Sequence, residues 1–128
     1  MNYLQPDATF EWHKKEGDHV SYGDTAFVLH ADVHTILKGE RLLLNCMQRM
    51  SGIATLTHQH TTLIKDYKAQ VIDTRKTTPL FRALEKRAVI IGGGGNHRFG
   101  LYDMIMLKDN HIDYCGGIRQ AIETTQSY

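Results

Sequence analysis

Three short polar segments of this chain combine cations, hydroxyls and glycines in ways that suit the binding of anions. The first is Asp73-Thr74-Arg75-Lys76-Thr77-Thr78, where two adjacent cations lie among three hydroxyls. Arginine offers a planar fork matched to a carboxylate or phosphate, and lysine offers a mobile point charge. The second, Gly92-Gly93-Gly94-Gly95-Asn96-His97-Arg98, lets the backbone approach a ligand closely and then presents an imidazole and a guanidinium. No Gly-Lys-Ser/Thr follows the glycines, so this is not a Walker loop, and a GxGxxG dinucleotide fingerprint is absent as well. The third, Lys108-Asp109-Asn110-His111, follows an apolar run, the position where α/β folds carry their functional groups. Each segment taken alone also suits a solvated loop or a helix terminator.

The remaining reactive side chains point away from other chemistries. His58 and His60 fall on opposite sides of a helix and no HExxH is present, so the eight histidines form no metal site by spacing. His13, His19, His30 and His34 read as surface residues. Cys46 and Cys115 lie far apart without a CxxC pattern and read as reduced thiols in a cytosolic protein. With 15 basic and 14 acidic residues, the chain lacks the basic excess that nucleic-acid or membrane binding calls for. The apolar runs are only a few residues long, and the N-terminus lacks a basic stretch followed by an apolar one. The expected location is therefore the cytoplasm. Position matters more than total charge: Arg75, Lys76, Arg98 and Lys108 all stand in polar segments beside apolar runs or glycines.

The elements that must position these segments follow from periodicity. Residues 10–37 are β-rich, with turns at Glu16-Gly17-Asp18 and Tyr22-Gly23-Asp24, and Val33 and Ile36-Leu37 lead out of them. From Glu40 a helical period takes over through Leu43, Met47 and Met50, and Ser51-Gly52 is a candidate break before Ile53, Leu56, Leu63 and Ile64. A short strand at Val71-Ile72 ends in the first polar segment. Thr78-Pro79 has the form of a helix start, with Leu80, Leu84, Ala88 and Ile91 as the apolar face and the glycines as its end. A second strand is predicted at Met104–Leu107 and a last helix near Gly117. Strands that alternate with helices and end in charged bursts indicate a parallel α/β sheet or barrel. A closed barrel takes about 200 residues or more, so this one would be incomplete.

Taken in order, the motifs stop being generic. Gly39-Glu40-Arg41-Leu42-Leu43-Leu44-Asn45, Ser51-Gly52-Ile53-Ala54-Thr55, the 73–79 segment, Leu84-Glu85-Lys86, Asn96-His97-Arg98 with Gly100-Leu101 and Asp103, and Lys108-Asp109-Asn110-His111 succeed one another. This succession resembles the quinolinate phosphoribosyltransferases from about Gly39 to Ile112. One departure is Leu80-Phe81, where that family commonly has a glycine after the proline.

The resemblance implies a fold class of α/β: a partial N-terminal α/β sandwich (residues 1–42 its second half), then the opening strands of an incomplete (β/α) barrel (43–128). It implies transfer of a phosphoribosyl group from phosphoribosyl pyrophosphate to quinolinate, giving nicotinate mononucleotide, carbon dioxide and pyrophosphate in NAD biosynthesis. Lys76 and Lys108 would be the catalytic cations. Arg75, His97, Arg98 and Lys108 would bind quinolinate and the diphosphate substrate, with Thr74 beside them, and Lys76 would serve the phosphoribosyl pyrophosphate. Arg41 would reach into a partner subunit's site in a homodimer or higher homo-oligomer. Magnesium would accompany the phosphoribosyl pyrophosphate, with its acidic ligands outside this chain. The isolated 128 residues are accordingly expected to be inactive. Two other readings are a nicotinate-specific phosphoribosyltransferase and a non-catalytic fragment or assembly module of the same fold.

Overall fold

The β-rich start of the chain folds into one antiparallel ribbon in the computed structural model, which describes residues 1 and 3–127. Strand β1 (Thr9–Trp12) pairs with β2 (Phe27–His30), Thr9 opposite His30 and Trp12 opposite Phe27. Alternation places Phe10 and Trp12 on one face, where with Phe27 they form an aromatic cluster with ring centroids 5.0–5.4 Å apart. The connection contains the two expected turns. Asp18 accepts from the Lys15 N–H at 2.8 Å and Asp24 from the Ser21 N–H at 3.0 Å, so each carboxylate closes its own turn.

Val33, Ile36 and Leu37 are helical rather than part of this ribbon. Helix α1 runs from Val33 to Leu63 without interruption, about 46 Å at 1.5 Å per residue. Ser51-Gly52 therefore does not divide it. Leu43, Met47, Met50, Ala54, Thr57, Thr61 and Ile64 keep one phase across that point, and all seven are half-buried or buried. A continuous buried stripe outweighs the roughly 1 kcal/mol that a mid-helix glycine costs.

Helix α2 (Arg82–Ile91) packs on the second half of that stripe, with Ala88 fully buried between them. Small residues let the backbones come close: a Cβ added at Gly92 would collide with the Ala54 carbonyl and the Thr57 Cβ. The helix starts later than Thr78-Pro79 predicts. Phe81 is the N-cap residue, and Leu80 stands outside the helix, fully exposed, at φ 62. That left-handed conformation costs a branched residue about 1–2 kcal/mol, which gives a physical reason for a glycine there in the family it resembles. The Thr78 hydroxyl caps nothing; it donates to Glu85 Oε1 at 2.7 Å, and the Thr78 N–H donates to Glu85 Oε2 at 3.2 Å.

The segments flanking α2 meet in parallel. Gly95 N–H donates to the Val71 carbonyl at 2.8 Å and Asp73 N–H to the Gly95 carbonyl at 3.1 Å, forming a bridge between Ile72 and Gly95. The second extended segment is thus the end of the glycine run. Met104–Leu107, predicted as that strand, is not one. Helix and parallel bridge together make the architecture α/β.

Residues 1–97 form one compact unit and the chain from Arg98 onward forms another. In the second, Asp103 accepts from the Phe99 and Gly100 N–H groups at 2.6 and 2.7 Å. Lys108 precedes helix α3 (Asp109–Cys115), about two turns of helix where the sequence predicts only a polar loop. Gly116, left-handed at φ 81, ends it, and α4 (Ile118–Ser127) follows where predicted, packed on α3. Among the described residues the buried apolar side chains are Ala8, Ala88 and Ala121, while Trp12, Leu42, Leu56, Ile72 and Ile105 are exposed.

Glu85 joins the two helices of the first unit. Arg49 of α1 donates to its Oε1 through Nη2 at 2.7 Å and through Nε at 3.0 Å. Burial pushes the Glu85 carboxyl up, but the hydrogen bonds from Thr78 and Arg49 outweigh it and hold the group below its ordinary value of 4.5. A depressed carboxylate adds stability that is complete above pH 4.5 and is lost as pH falls through the lowered value. Glu85→Gln should therefore lower the unfolding free energy near neutral pH by about 1 kcal/mol, a modest figure because Arg49 is solvent-screened. In urea titrations of the native protein the gap should close below pH 4.5. A gap that is constant with pH counts against this account.

Candidate functional site

Asp73, the first residue of the polar segment, is the centre of a buried polar cluster. Its Oδ1 accepts from Lys86 Nζ at 2.5 Å and from the His97 N–H at 2.8 Å. Lys86 Nζ also donates to the His97 carbonyl at 2.8 Å. The Asn96 amide, oriented with its nitrogen toward Asp73, donates to Asp73 Oδ2 at 2.6 Å and to the Lys86 carbonyl at 3.0 Å. Asp73 and Lys86 side chains are 7% and 2% exposed, so both charges are out of water and need the partners they have.

The segment that follows is held at several points. Lys76 N–H donates to Thr74 Oγ1 at 3.1 Å, a turn made by the threonine's own hydroxyl. From α2, Arg82 Nε donates to Thr77 Oγ1 at 3.2 Å and its Nη2 to the Arg75 carbonyl at 3.5 Å. Thr78 closes the run on Glu85, and its hydroxyl also accepts from Arg49 Nη2 at 3.2 Å. Thr74 and Lys76 are exposed and Arg75 is half-buried.

The first unit thus brings together Thr74, Arg75, Lys76 and the His97 main chain. Arg98 and Lys108 belong to the second unit. Arg98 Nη2 contacts Met106 Sδ at 3.7 Å, and Lys108 precedes α3 with its N–H donated to His111 Nδ1 at 3.0 Å. Arg41 is exposed on α1, two turns and about 12 Å of helix axis before Arg49. The side-chain cations of Arg41, Lys76 and Lys108 have no anionic partner among the described residues.

Sequence reasoning assigned no role to Asp73, Glu85, Lys86, Asn96 or Arg49. Glu85 and Lys86 are adjacent charges in a helix, a pattern that ordinarily marks a solvent face. Only Glu85 carried a signal, since it lies three residues before Ala88 and beside the buried stripe, whereas Lys86 is two residues from both Leu84 and Ala88 and nearly opposite them.

No three His, Cys, Asp or Glu side chains group as metal ligands among the described residues. Asp73 is engaged by Lys86, His97 and Asn96, and Asp103 by two backbone N–H groups. With their oxygens so engaged, these two carboxylates do not fit a magnesium site. Among the described residues no helix is long and apolar enough to cross a membrane.

Residues 1–51 match the N-terminal domain of quinolinate phosphoribosyl transferase, and residues 53–128 match its C-terminal domain. A Bacillus subtilis protein named "Probable nicotinate-nucleotide pyrophosphorylase (carboxylating)" is 53% identical over 109 residues, 85% of this chain and 38% of that protein. The chloroplastic nicotinate-nucleotide pyrophosphorylase (carboxylating) of Arabidopsis thaliana is 46% identical over 130 residues, all of this chain and 36% of that one. The crystal structure of NadC from Streptococcus pyogenes superimposes with a TM-score of 0.91 at 42% identity, covering 99% of this chain and 45% of NadC. The nicotinate-nucleotide pyrophosphorylase from Francisella tularensis gives 0.90 at 40% identity, covering 98% and 45%. The chain spans less than half the length of these relatives. Matched in order to both domains, and folded like the corresponding parts of its solved relatives, the chain belongs to the quinolinate phosphoribosyl transferase family.

Proposed function

We propose that this chain supplies the cationic part of a site that transfers a phosphoribosyl group from phosphoribosyl pyrophosphate to the ring nitrogen of quinolinate. The products are nicotinate mononucleotide, carbon dioxide and pyrophosphate. The observation that carries this reading is the Asp73–Lys86–His97 cluster, which holds Arg75 and Lys76 in one segment beside His97 in a chain matching both family domains.

The chemistry suits such a group of cations. Quinolinate is a dianion and the second substrate is polyanionic, so positive charge must gather them and offset their repulsion. Arg75, His97, Arg98 and Lys108 bind quinolinate and the diphosphate, with Thr74 beside them. Lys76 and Lys108 are the catalytic cations, Lys76 serving the phosphoribosyl pyrophosphate. Attack of the ring nitrogen on the ribose C1 displaces pyrophosphate and leaves a pyridinium. The electron pair released when the 2-carboxylate departs as carbon dioxide is stabilised by that adjacent positive nitrogen, and a proton then replaces the carboxylate. No covalent nucleophile is needed. The roles of Arg98 and Lys108 are supported by the resemblance of their motifs to that family.

Magnesium would accompany the phosphoribosyl pyrophosphate, with its acidic ligands outside this chain. Arg41 serves the partner subunit's site in a homodimer or higher assembly. The cytoplasm is the proposed location, with relatives known from plant chloroplasts and mitochondria as well as from bacteria.

The native protein, expressed from its own reading frame, should convert quinolinate and phosphoribosyl pyrophosphate into nicotinate mononucleotide with stoichiometric carbon dioxide. Nicotinate in place of quinolinate should give none. Product from nicotinate alone would identify a non-decarboxylating transferase, and product from neither acid would reject the reading.

Arg98→Ala should weaken quinolinate binding by about 2–5 kcal/mol, the cost of losing a desolvated charge-assisted contact, and phosphoribosyl pyrophosphate binding by less. Separate calorimetric titrations decide this, and equal losses for the two substrates count against it.

Mixing Arg41→Ala subunits with Lys108→Ala subunits should restore activity, because each hybrid dimer then contains one site with both residues intact. Absence of recovery after confirmed subunit exchange would place Arg41 in its own chain's site or in none.

A further inference from the structure

Glu85 and Lys86 are consecutive on α2, opposite in charge and both buried, and neither is assigned a part in the reaction above. They grip opposite ends of one exposed segment. Lys86 holds Asp73 at its start, and Glu85 accepts both the Thr78 N–H and the Thr78 hydroxyl at its end. Between these anchors stand Thr74, Arg75, Lys76 and Thr77. Lys86 also fixes the main chain of His97, directly through its carbonyl and indirectly through Asp73, which takes the His97 N–H.

We propose that Glu85 and Lys86 are positioning residues, which fix the spacing of Arg75, Lys76 and His97 before any substrate arrives. The proposal rests on the functional reading above and deepens it. Lys86 is only 2% exposed and its charge is matched by Asp73, so it is not available to a substrate anion. Its contribution is geometric. A buried ion pair often stabilises no better than well-packed apolar residues of the same volume, so stability is weak ground for one here. A three-way clamp whose groups all have polar partners does define one geometry for the residues on either side. Binding sites gain when their donors need no reorganisation as the ligand arrives.

The test uses the native protein and asks whether catalysis can be separated from folding. Lys86→Met leaves Asp73 buried without its cation, and a loss of thermal stability is expected. Lys86→Met/Asp73→Asn removes both charges and should recover most of the melting temperature, but the donor to the His97 carbonyl is gone. We expect kcat/KM of the double variant to stay about 10–100-fold below wild type, the effect of an ångström-scale misplacement. A double variant that recovers both melting temperature and kcat/KM would show Lys86 and Asp73 to be structural only, and would overturn the proposal.

Amide hydrogen exchange of the ligand-free wild type gives a second reading that needs no variant. The His97 amide should be protected in the absence of substrate. Exchange at an unprotected rate that slows only when quinolinate is added would mean that the clamp forms on binding, and would also overturn the proposal. A wild type that makes no nicotinate mononucleotide would reject the functional reading, while the exchange measurement would still decide whether the clamp is preformed.

Discussion

The buried pair of Asp73 and Lys86 is the constraint on which the arrangement of the first unit depends. Asp73 ends the extended segment that bridges to Gly95, Lys86 lies in the middle of α2, and His97 follows the glycine run that returns from that helix. One carboxylate and one ammonium therefore tie together three consecutive pieces of chain. Neither charge is stable alone out of water, so neither end of the connection can leave without exposing the other. The parallel backbone bridge is too short to impose this by itself, since it consists of a single residue pair.

Behind the pair lies close helix packing. Ala88, Ala54, Thr57 and Gly92 are small, so α2 settles low on α1 and brings Glu85 within reach of Arg49. The Arg49 guanidinium stabilises the charged form of Glu85, and Glu85 in turn receives Thr78. A chain of contacts thus runs from the apolar stripe of α1 to the segment that carries Arg75 and Lys76. Packing decides the depth of α2, and the depth of α2 decides where Arg75 and Lys76 are presented.

Five acidic side chains have structural parts. Asp18 and Asp24 close turns, Asp103 gathers two N–H groups, and Glu85 and Asp73 brace the segment that carries the cations. Carboxylates used in this way offset their own desolvation with hydrogen bonds. In the first unit the buried acids Asp73 and Glu85 hold the backbone of the segment that carries Arg75 and Lys76.

The α/β class, the two turns before β2 and the last helix could be read from residue types and spacing, and the family from the resemblance of its ordered motifs. Turn chemistry and amphipathic period are local, and the ordered motifs carry a specificity that no one of them has. The continuity of α1 through Ser51-Gly52, the late start of α2 and the extended state of Gly95 in place of Met104–Leu107 were settled by tertiary contacts. Local propensity at Gly52 or Thr78 is worth about 1 kcal/mol, and a buried stripe or a buried carboxylate with four donors outweighs it. The roles of Glu85 and Lys86 were hidden for the same reason. A charged helical residue in sequence looks the same whether it faces water or a partner 13 residues away, and only the folded chain brings Asp73 to Lys86.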